Sequence, residues 1–233
     1  MALPITTASD YTGKVRISTS KGSQFAAYIT EYERKYLRLV LGDECYNDIK
    51  DFVNPLPQKY LDLFNGVNYT NDSGDFVAFQ GFKESILRFV YSEYNTDNFQ
   101  TSVGGNVKSI NENSTLLSSG NTILLAQRFN EAVIKYIDET YPFLLEHEDL
   151  SITCDSSIAG VGVSGINVSS TKYLSDGDTV TIEGIDYVIS SLITDTSFQI
   201  VSDEATNYFQ NKEITYKPFY DVKFRDFNLY SII

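Results

Sequence analysis

The chain has 233 residues, of which 42% are hydrophobic and 21% charged, a composition typical of a globular protein with a sizeable core rather than a disordered one. Its formal net charge is −13, and residues 1–150 and 151–233 both carry an excess of acidic side chains, which disfavours tight binding to nucleic-acid phosphates. Its apolar runs are too short for a transmembrane helix, and no secretory signal is visible. We therefore expect synthesis in the cytoplasm and no membrane partner.

The few cysteines and histidines do not fit a metal site or a histidine-based hydrolase. Cys45 and Cys154 lie far apart, and His147 is the only histidine. A structural zinc site or a nucleophile–histidine arrangement needs more ligands or bases than these. The sequence predicts two buried, reduced thiols, one surface histidine, and no metal or other cofactor.

The first helix is predicted from about Phe25 after an extended lead-in over residues 1–22. Apolar side chains recur there with a helical period and are flanked by charges on the opposite face. Gly42 is expected to end this helix, and a short helix is expected to follow as far as about Phe52. The predicted apolar stripe comprises Phe25, Tyr28, Ile29, Tyr32, Tyr36, Leu39 and Val40.

Three more helices are predicted before residue 150. Pro57 is expected to open a short helix that Gly66 ends, and residues 67–81 are interpreted as a turn-rich connection. Further helices are predicted over about 82–94 and about 122–145, and Pro142 is expected to kink or break the second near its end. Together these elements predict an antiparallel bundle of about four to five helices over residues 1–150.

Residues 95–121 form a long polar loop in this interpretation. Seventeen of these 27 residues are Asn, Ser, Thr or Gly, and the hydrophobic residues are scattered singly except for Leu116-Leu117. A loop of this length within a compact domain is usually functional or disordered.

The sequence pattern changes from a helical to an alternating period after Asp149. Val180 and Ile182 alternate before Glu183-Gly184, which is typical of a hairpin turn. Short strands with frequent turns predict a small all-β barrel or sandwich over residues 151–216, so the fold class is α+β. The aromatic tail, residues 217–233, is expected to return to the helical part or to reach a neighbouring subunit.

Motifs for catalysis are not found. The chain has no phosphate loop, no nucleophile elbow and no GxGxxG pattern after a strand. The Gly-rich stretch "GVGVSG" (160–165) does not lead into a helix and is interpreted as glycine for turns. A carboxylate pair could still serve acid–base catalysis, which leaves an enzyme as one alternative, although carboxylates near a helix end are more often a solvated face. The candidate carboxylates are Glu139, Glu146, Glu148 and Asp149.

One stretch of the sequence resembles a known family. The segment "ITTASDYTGKVRIST" followed by "FAAYITEYERKYLRLVLGDECYNDI" resembles the start of head–tail connector (adaptor) proteins of tailed bacteriophages, in particular of phages of Bacteroidota hosts, including crAss-like phages. The helix "FQGFKESILRFVYSEY", a polar loop and the helix "RFNEAVIKYIDE" follow in the same order as in that family. The resemblance covers residues 5–150, and the β segment looks like an added domain.

This resemblance implies a non-enzymatic virion protein located at the neck between head and tail. It implies a ring of about 12 copies that docks onto the portal protein, contacts tail or neck proteins and lets DNA pass. The acidic balance of the chain suits a channel wall that does not grip DNA. Two alternatives stay open: a tail-completion or stopper protein, and a host-facing binding module carried by the β domain.

The residues expected to contact neighbouring subunits or the portal lie in the polar loop and in the tail. In the loop these are Val103, Gly104, Gly105, Val107, Ile110, Leu116 and Leu117. In the tail they are Phe219, Tyr220, Phe224 and Phe227.

Overall fold

The computed structural model describes residues 5–16, 22–51, 56–97, 100–102, 105–107, 119–158, 162–202 and 209–219. Within these ranges the protein is a mixed α and β structure with five α-helices and a six-stranded β-barrel. The helices are α1 (Gly22–Asp51), α2 (Gln58–Asn65), α3 (Lys83–Asp97), α4 (Ser119–Lys135) and α5 (Tyr141–Glu146). The strands are β1 (Val67–Thr70), β2 (Phe76–Phe79), β3 (Gln100–Ser102), β4 (Gly105–Val107), β5 (Leu150–Ile158), β6 (Gly162–Val168), β7 (Thr179–Ile182), β8 (Ile185–Thr194), β9 (Ser197–Ser202) and β10 (Lys212–Tyr216).

Helix α1 buries most of the predicted apolar stripe. Phe25, Ile29, Tyr32, Tyr36 and Val40 are buried, Tyr28 is half-buried, and Leu39 is exposed. Gly42 adopts φ 83 and ψ 170 and interrupts the helical geometry. A residue without a Cβ adopts positive φ at little cost, so this conformation agrees with the helix end predicted at Gly42. The chain continues as a helix beyond this kink.

Helix α3 lies between α1 and α4 and runs antiparallel to both. Phe25 and Tyr94 form an edge-to-face pair, and Tyr36 stacks on Phe89 with ring centroids 4.1 Å apart. Phe89 also contacts Phe129 of α4 at 5.3 Å. These aromatic pairs join the three helices into one core, in which each ring pair adds about 0.5–1.5 kcal/mol beyond the area that it buries.

A β-hairpin replaces the turn-rich connection expected over residues 67–81, so that expectation was wrong. Strands β1 and β2 pair antiparallel, with Val67 opposite Phe79. Phe79 packs against Phe143 of α5, which gives the short hairpin the apolar support that it needs.

The predicted helix over residues 122–145 is interrupted by a π-helical turn over Tyr136–Thr140 between α4 and α5. In this turn the backbone N–H of Tyr141 donates to the carbonyl of Tyr136. Pro142 has no N–H to continue the α-helical ladder, and the ring of a proline displaces the carbonyl four residues earlier. The predicted disturbance at Pro142 is therefore confirmed, and it takes the form of a π turn.

The all-β segment is a closed antiparallel barrel with the strand order β10-β5-β6-β9-β8-β7. The predicted turn at Glu183-Gly184 joins β7 to β8 with positive φ at both residues, 52° and 82°, the geometry of the tightest hairpins. Inward-facing side chains fill the interior. They include Cys154, Ile166, Val180, Ile182, Ile189, Phe198, Ile200 and Ile214.

The predicted loop over residues 95–121 is shorter than expected at both ends. Helix α3 extends to Asp97 and α4 begins at Ser119. Between them, β3 and β4 pair antiparallel, with Gln100 opposite Val107. The other residues of this segment, 98–99, 103–104 and 108–118, lie outside the described residues.

Candidate functional site at the junction of the helices and the barrel

Helix α2 brings a buried lysine to the barrel. Lys59 is 1% exposed, and its ammonium group lies 3.0 Å and 3.1 Å from the two carboxylate oxygens of Asp178, in the loop before β7. The same carboxylate accepts a hydrogen bond from the backbone N–H of Ser175. This bidentate ion pair joins residues 119 positions apart in the sequence.

A second ion pair lies beside the first. Asp62, one helical turn after Lys59, accepts hydrogen bonds from Lys172 at 2.7 Å and from the hydroxyl of Tyr173 at 2.8 Å. The side-chain amide of Gln58 donates to its other oxygen at 2.6 Å. Helix α2 supplies the cation Lys59 and the anion Asp62, and each of them faces an opposite charge of the barrel domain.

Burial controls the protonation of these groups. It raises the pKa of Asp178, and the neighbouring Lys59 acts in the opposite direction. Burial lowers the pKa of Lys172, but its hydrogen bonds to Asp62 and Tyr173 outweigh that effect and leave the pKa raised. Lys172 is therefore a firmly held cation, and the junction is electrostatically matched.

A chain of hydrogen bonds continues from the junction into α1. Tyr60 donates to the carboxylate of Asp48, and the thiol of Cys45 donates to the Tyr60 hydroxyl at 3.8 Å. Burial raises the pKa of Cys45 to about 12, which holds the thiol in its protonated, poorly nucleophilic form. The expectation of buried, reduced thiols is confirmed for Cys45 and for Cys154.

His147 is buried, which corrects the expectation of a surface histidine. Its Nδ1–H donates to the carbonyl of Phe143 at 2.8 Å, and burial lowers the pKa of the ring. The imidazole contacts the rings of Tyr69, Tyr173 and Phe219. As a neutral ring with a satisfied donor, it packs as a member of this aromatic cluster.

A cleft of about 840 Å³ opens beside this junction, between the start of α2 and the barrel. Its apolar lining includes Leu56, Leu174 and Ile193, and the last of these is 54% exposed. Its charged lining residues are Lys172, Asp176 and Asp195. Lys172 is paired with Asp62, and within the described part of the chain no ion pair is found for Asp176 or Asp195.

Only some of the predicted contact residues lie in the part of the chain that the structure describes. Gly105 and Val107 lie in strand β4, whereas Val103, Gly104, Ile110, Leu116 and Leu117 lie outside the described residues, as do Tyr220, Phe224 and Phe227. Phe219 is 1% exposed and packs against Tyr60 and Phe143. This corrects the expectation that its ring contacts a neighbouring subunit, because the chain's own core covers it.

The candidate carboxylates have different neighbours. Glu139 pairs with Lys135 one turn earlier on the helix, Glu146 accepts from the backbone N–H of Asp72, and Asp149 lies 3.6 Å from Lys217. These separate partners give the three side chains local roles at the helix surface, at the hairpin and beside the end of β10.

A buried carboxylate that the sequence did not single out holds the N-terminal segment on α1. Glu33 accepts hydrogen bonds from the backbone N–H groups of Ile5 and Thr6 at 2.9 Å and 2.6 Å, and from the Thr6 hydroxyl. Tyr11, which contacts the Thr6 hydroxyl, packs edge-on against Phe25. Together these contacts form an N-terminal clasp, defined by Ile5, Thr6 and Glu33.

The clasp should make stability depend on pH. Burial raises the pKa of Glu33 to about 6, so the folded state binds this proton more tightly than the unfolded state does. We expect the free energy of unfolding to rise by about 2 kcal/mol as pH falls from 7 to 4 through this residue, and Glu33→Gln to remove that component. Urea denaturation at several pH values measures the difference.

The matched control is Glu31→Gln, on the solvent-exposed face of the same helix. We expect it to keep the pH profile of the wild type. Parallel profiles for the wild type and Glu33→Gln would contradict the role assigned to the buried carboxyl.

Comparison with protein-family models, with curated proteins and with solved structures finds no match to this chain. Among the residues that the structure describes, the helices are too short or too polar to cross a membrane.

Proposed function

We propose that this chain is a structural subunit of a tailed-phage head–tail connector, which forms a ring on the portal at the neck of the virion. One observation carries the proposal: the residues behind the resemblance form a single structural unit. Glu33 of α1 binds the segment containing Ile5 and Thr6 through hydrogen bonds. Gly42 kinks the same helix, and Asp48 accepts a hydrogen bond from the Tyr60 hydroxyl. The resembling sequence thus encodes a scaffold.

The order and direction of the helices support a connector-type antiparallel bundle. Helices α1, α3 and α4 alternate in direction, and their aromatic contacts form a common core. In the proposed bundle, α2 and α5 complete the packing at the end where the barrel attaches, because Tyr60 and Phe143 both pack against Phe219.

An apolar row on the outer side of α4, the π-helical turn and α5 supports contact with neighbouring copies. Ile134, Ile137 and Leu145 are exposed large hydrophobic residues, and Ile134 is 56% exposed. Ile134 and Ile137 are neighbours on the helix surface at a spacing of three residues. In a closed ring, such a row packs against a different surface of the next subunit.

The proposal also fits the charges of the chain. A net charge of −13 suits a ring through which DNA moves without being gripped. A host-binding β domain would instead favour exposed aromatic side chains, but Tyr187 and Phe198 are buried in the barrel and Tyr173 faces the junction. The connector therefore accounts for more of the observations than the host-facing alternative.

The direct test is native mass spectrometry and electron microscopy of the purified protein, alone and mixed with its portal. We expect rings of about a dozen copies that bind the portal, as the resemblance implies. A protein that stays monomeric and binds neither the portal nor other neck proteins would refute the proposal.

A double variant tests the apolar row directly. We expect Ile134→Asp/Ile137→Asp to abolish ring formation while the thermal midpoint changes little, because both side chains are already exposed and a charge within an apolar interface is costly. Native mass spectrometry reads the oligomer, and calorimetry reads the fold. Thr30→Asp, on an exposed position of α1, is the matched control and should still form rings. If the double variant assembled normally, the apolar row would not be part of the interface.

A further inference from the structure

The cleft between the start of α2 and the barrel has an apolar floor that is partly open to solvent. Leu56, Leu174 and Ile193 supply this floor; Leu56 is half-buried and Ile193 is 54% exposed. An exposed apolar side chain in a concave surface is typical of a binding groove. A small-molecule pocket buries most of its ligand, so the open floor fits one side of a segment that belongs to a larger partner.

The rim of the cleft selects the charge of that partner. Its charged lining residues are Lys172, Asp176 and Asp195. Lys172 is paired with Asp62, whereas neither Asp176 nor Asp195 has an ion pair among the residues that the structure describes. Both aspartates are exposed. The rim is therefore complementary to a cation rather than to an anion.

Hydrogen bonds fix the barrel side of the cleft before a partner binds. The backbone N–H of Leu192 donates to the Asp176 carboxylate at 2.6 Å. The backbone N–H of Thr171 donates to the carbonyl of Asp195 at 2.7 Å, and the Thr171 hydroxyl donates to the carbonyl of Thr194 at 3.0 Å. Because this side is already ordered, binding does not have to supply the free energy of ordering it.

A buried hydroxyl in the lining lacks a partner. Ser175 lines the cleft and is 3% exposed, and its Oγ has no hydrogen-bond partner within the described ranges of the chain. Buried polar groups are nearly always paired. Since rotation about χ1 moves a serine hydroxyl between staggered positions, a backbone group of a bound segment can supply the missing hydrogen bond.

We propose that the cleft binds an extended segment of a partner protein in which an aliphatic residue lies next to a lysine or arginine. The aliphatic side chain packs on Leu56, Leu174 and Ile193, and the cation lies at Asp176 and Asp195. Adjacent side chains of an extended segment point to opposite sides, and a long basic side chain places its charge beyond its own backbone. One such pair therefore reaches both the floor and the rim. This binding does not depend on assembly of the chain into a ring.

Fluorescence anisotropy with the full-length protein and labelled peptides tests the proposal. The probe is a short synthetic peptide of alternating leucine and lysine, at about 0.15 M salt, where long-range attraction to an acidic protein is screened. One control peptide has serine in place of leucine, and the other has glutamate in place of lysine. We expect both controls to bind about tenfold more weakly, because the first loses the apolar contact and the second meets like charges.

A pair of charge variants locates the cation. Asp176→Asn/Asp195→Asn should weaken binding of the leucine–lysine peptide about tenfold, since two exposed ion pairs are lost, while the asparagine at 176 keeps an acceptor for the Leu192 N–H. The matched control is Asp186→Asn/Glu213→Gln, which removes the same number of charges from exposed barrel positions that do not line the cleft. It should bind the peptide as the wild type does.

Two further variants test the floor and the orphaned hydroxyl. Ile193→Ser should weaken binding about tenfold, whereas Val188→Ser, at an exposed barrel position outside the cleft lining, should not. Ser175→Ala should weaken binding about threefold without lowering the thermal midpoint, because this hydroxyl has no partner to lose within the described part of the chain.

Three results would overturn the proposal. The first is a wild-type protein that binds none of the peptides. The second is equal affinity for the leucine–lysine and serine–lysine peptides, which would show charge attraction without use of the floor. The third is equal affinity of the cleft variants and their matched controls, which would place the peptide elsewhere on the protein.

Discussion

Replacement of Lys59 by methionine is expected to lower the free energy of unfolding by about 3–5 kcal/mol, the usual effect of breaking a buried ion pair by removing one partner. Methionine keeps most of the volume of the side chain but leaves the carboxylate of Asp178 buried without its cation. Because burial already raises the pKa of Asp178, the variant should regain stability as the pH falls and that carboxyl takes up a proton. Chemical denaturation at neutral and acidic pH measures both effects.

Two controls separate this effect from general damage to the fold. The double variant Lys59→Met/Asp178→Asn removes both charges and keeps an acceptor for the Ser175 N–H, so it should be more stable than Lys59→Met alone. Lys35→Met breaks a pair with Glu93 at the surface and should cost about 1 kcal/mol or less. If the Lys59 and Lys35 variants lost equal stability, the junction would not depend on its buried ion pair.

The Gly81→Ala substitution is expected to lower the free energy of unfolding by about 3–5 kcal/mol, because the positive φ strains an alanine and its Cβ overlaps backbone atoms. Gly81 has φ +93, and a Cβ there would lie 2.4 Å from the carbonyl oxygen of Phe64 and 2.6 Å from the backbone nitrogen of Gly66. These contacts are with backbone atoms where α2 passes into the β1–β2 hairpin, and the N–H of Phe82 donates to Leu63 there. Thermal and urea denaturation would show the loss.

Gly74→Ala is the matched control for this substitution. Gly74 has a similar positive φ, +86, but a Cβ there meets no heavy atom within 4 Å. Gly74→Ala should therefore lower the free energy of unfolding only through the strain of positive φ, by about 1–2 kcal/mol. Equal losses at the two glycines would show that the close approach at Gly81 is relieved by a backbone shift.

The elements with a strong sequence period were the ones that could be predicted. The apolar stripe of α1 repeats over several turns, and the alternation around Glu183-Gly184 specifies a hairpin with little ambiguity. The β1–β2 hairpin was missed because its four-residue strands lie within a polar, turn-like composition. Its pairing depends on packing against Phe143, which only the fold brings close.

The buried charges could not be predicted for a related reason. Glu33 and Lys59 occupy positions that a charged residue normally leaves exposed, and each is compensated by a group far away in the sequence: Glu33 by the N-terminal segment, Lys59 by Asp178. A weak signal exists for Lys59, because it lies four residues before Leu63 and therefore on the same face of α2. The cleft likewise needs both α2 and the barrel, so neither segment alone indicates it.

The closure of the barrel has a consequence for any crowded assembly. Strand β10 pairs with both β5 and β7, so each of the six described barrel strands has a hydrogen-bonded neighbour on both sides, and these strands form no open sheet edge. Strand addition, a common route to both recognition and runaway polymerisation, is therefore closed to this part of the molecule. Contacts of the barrel with other molecules must therefore be made by side chains and loops.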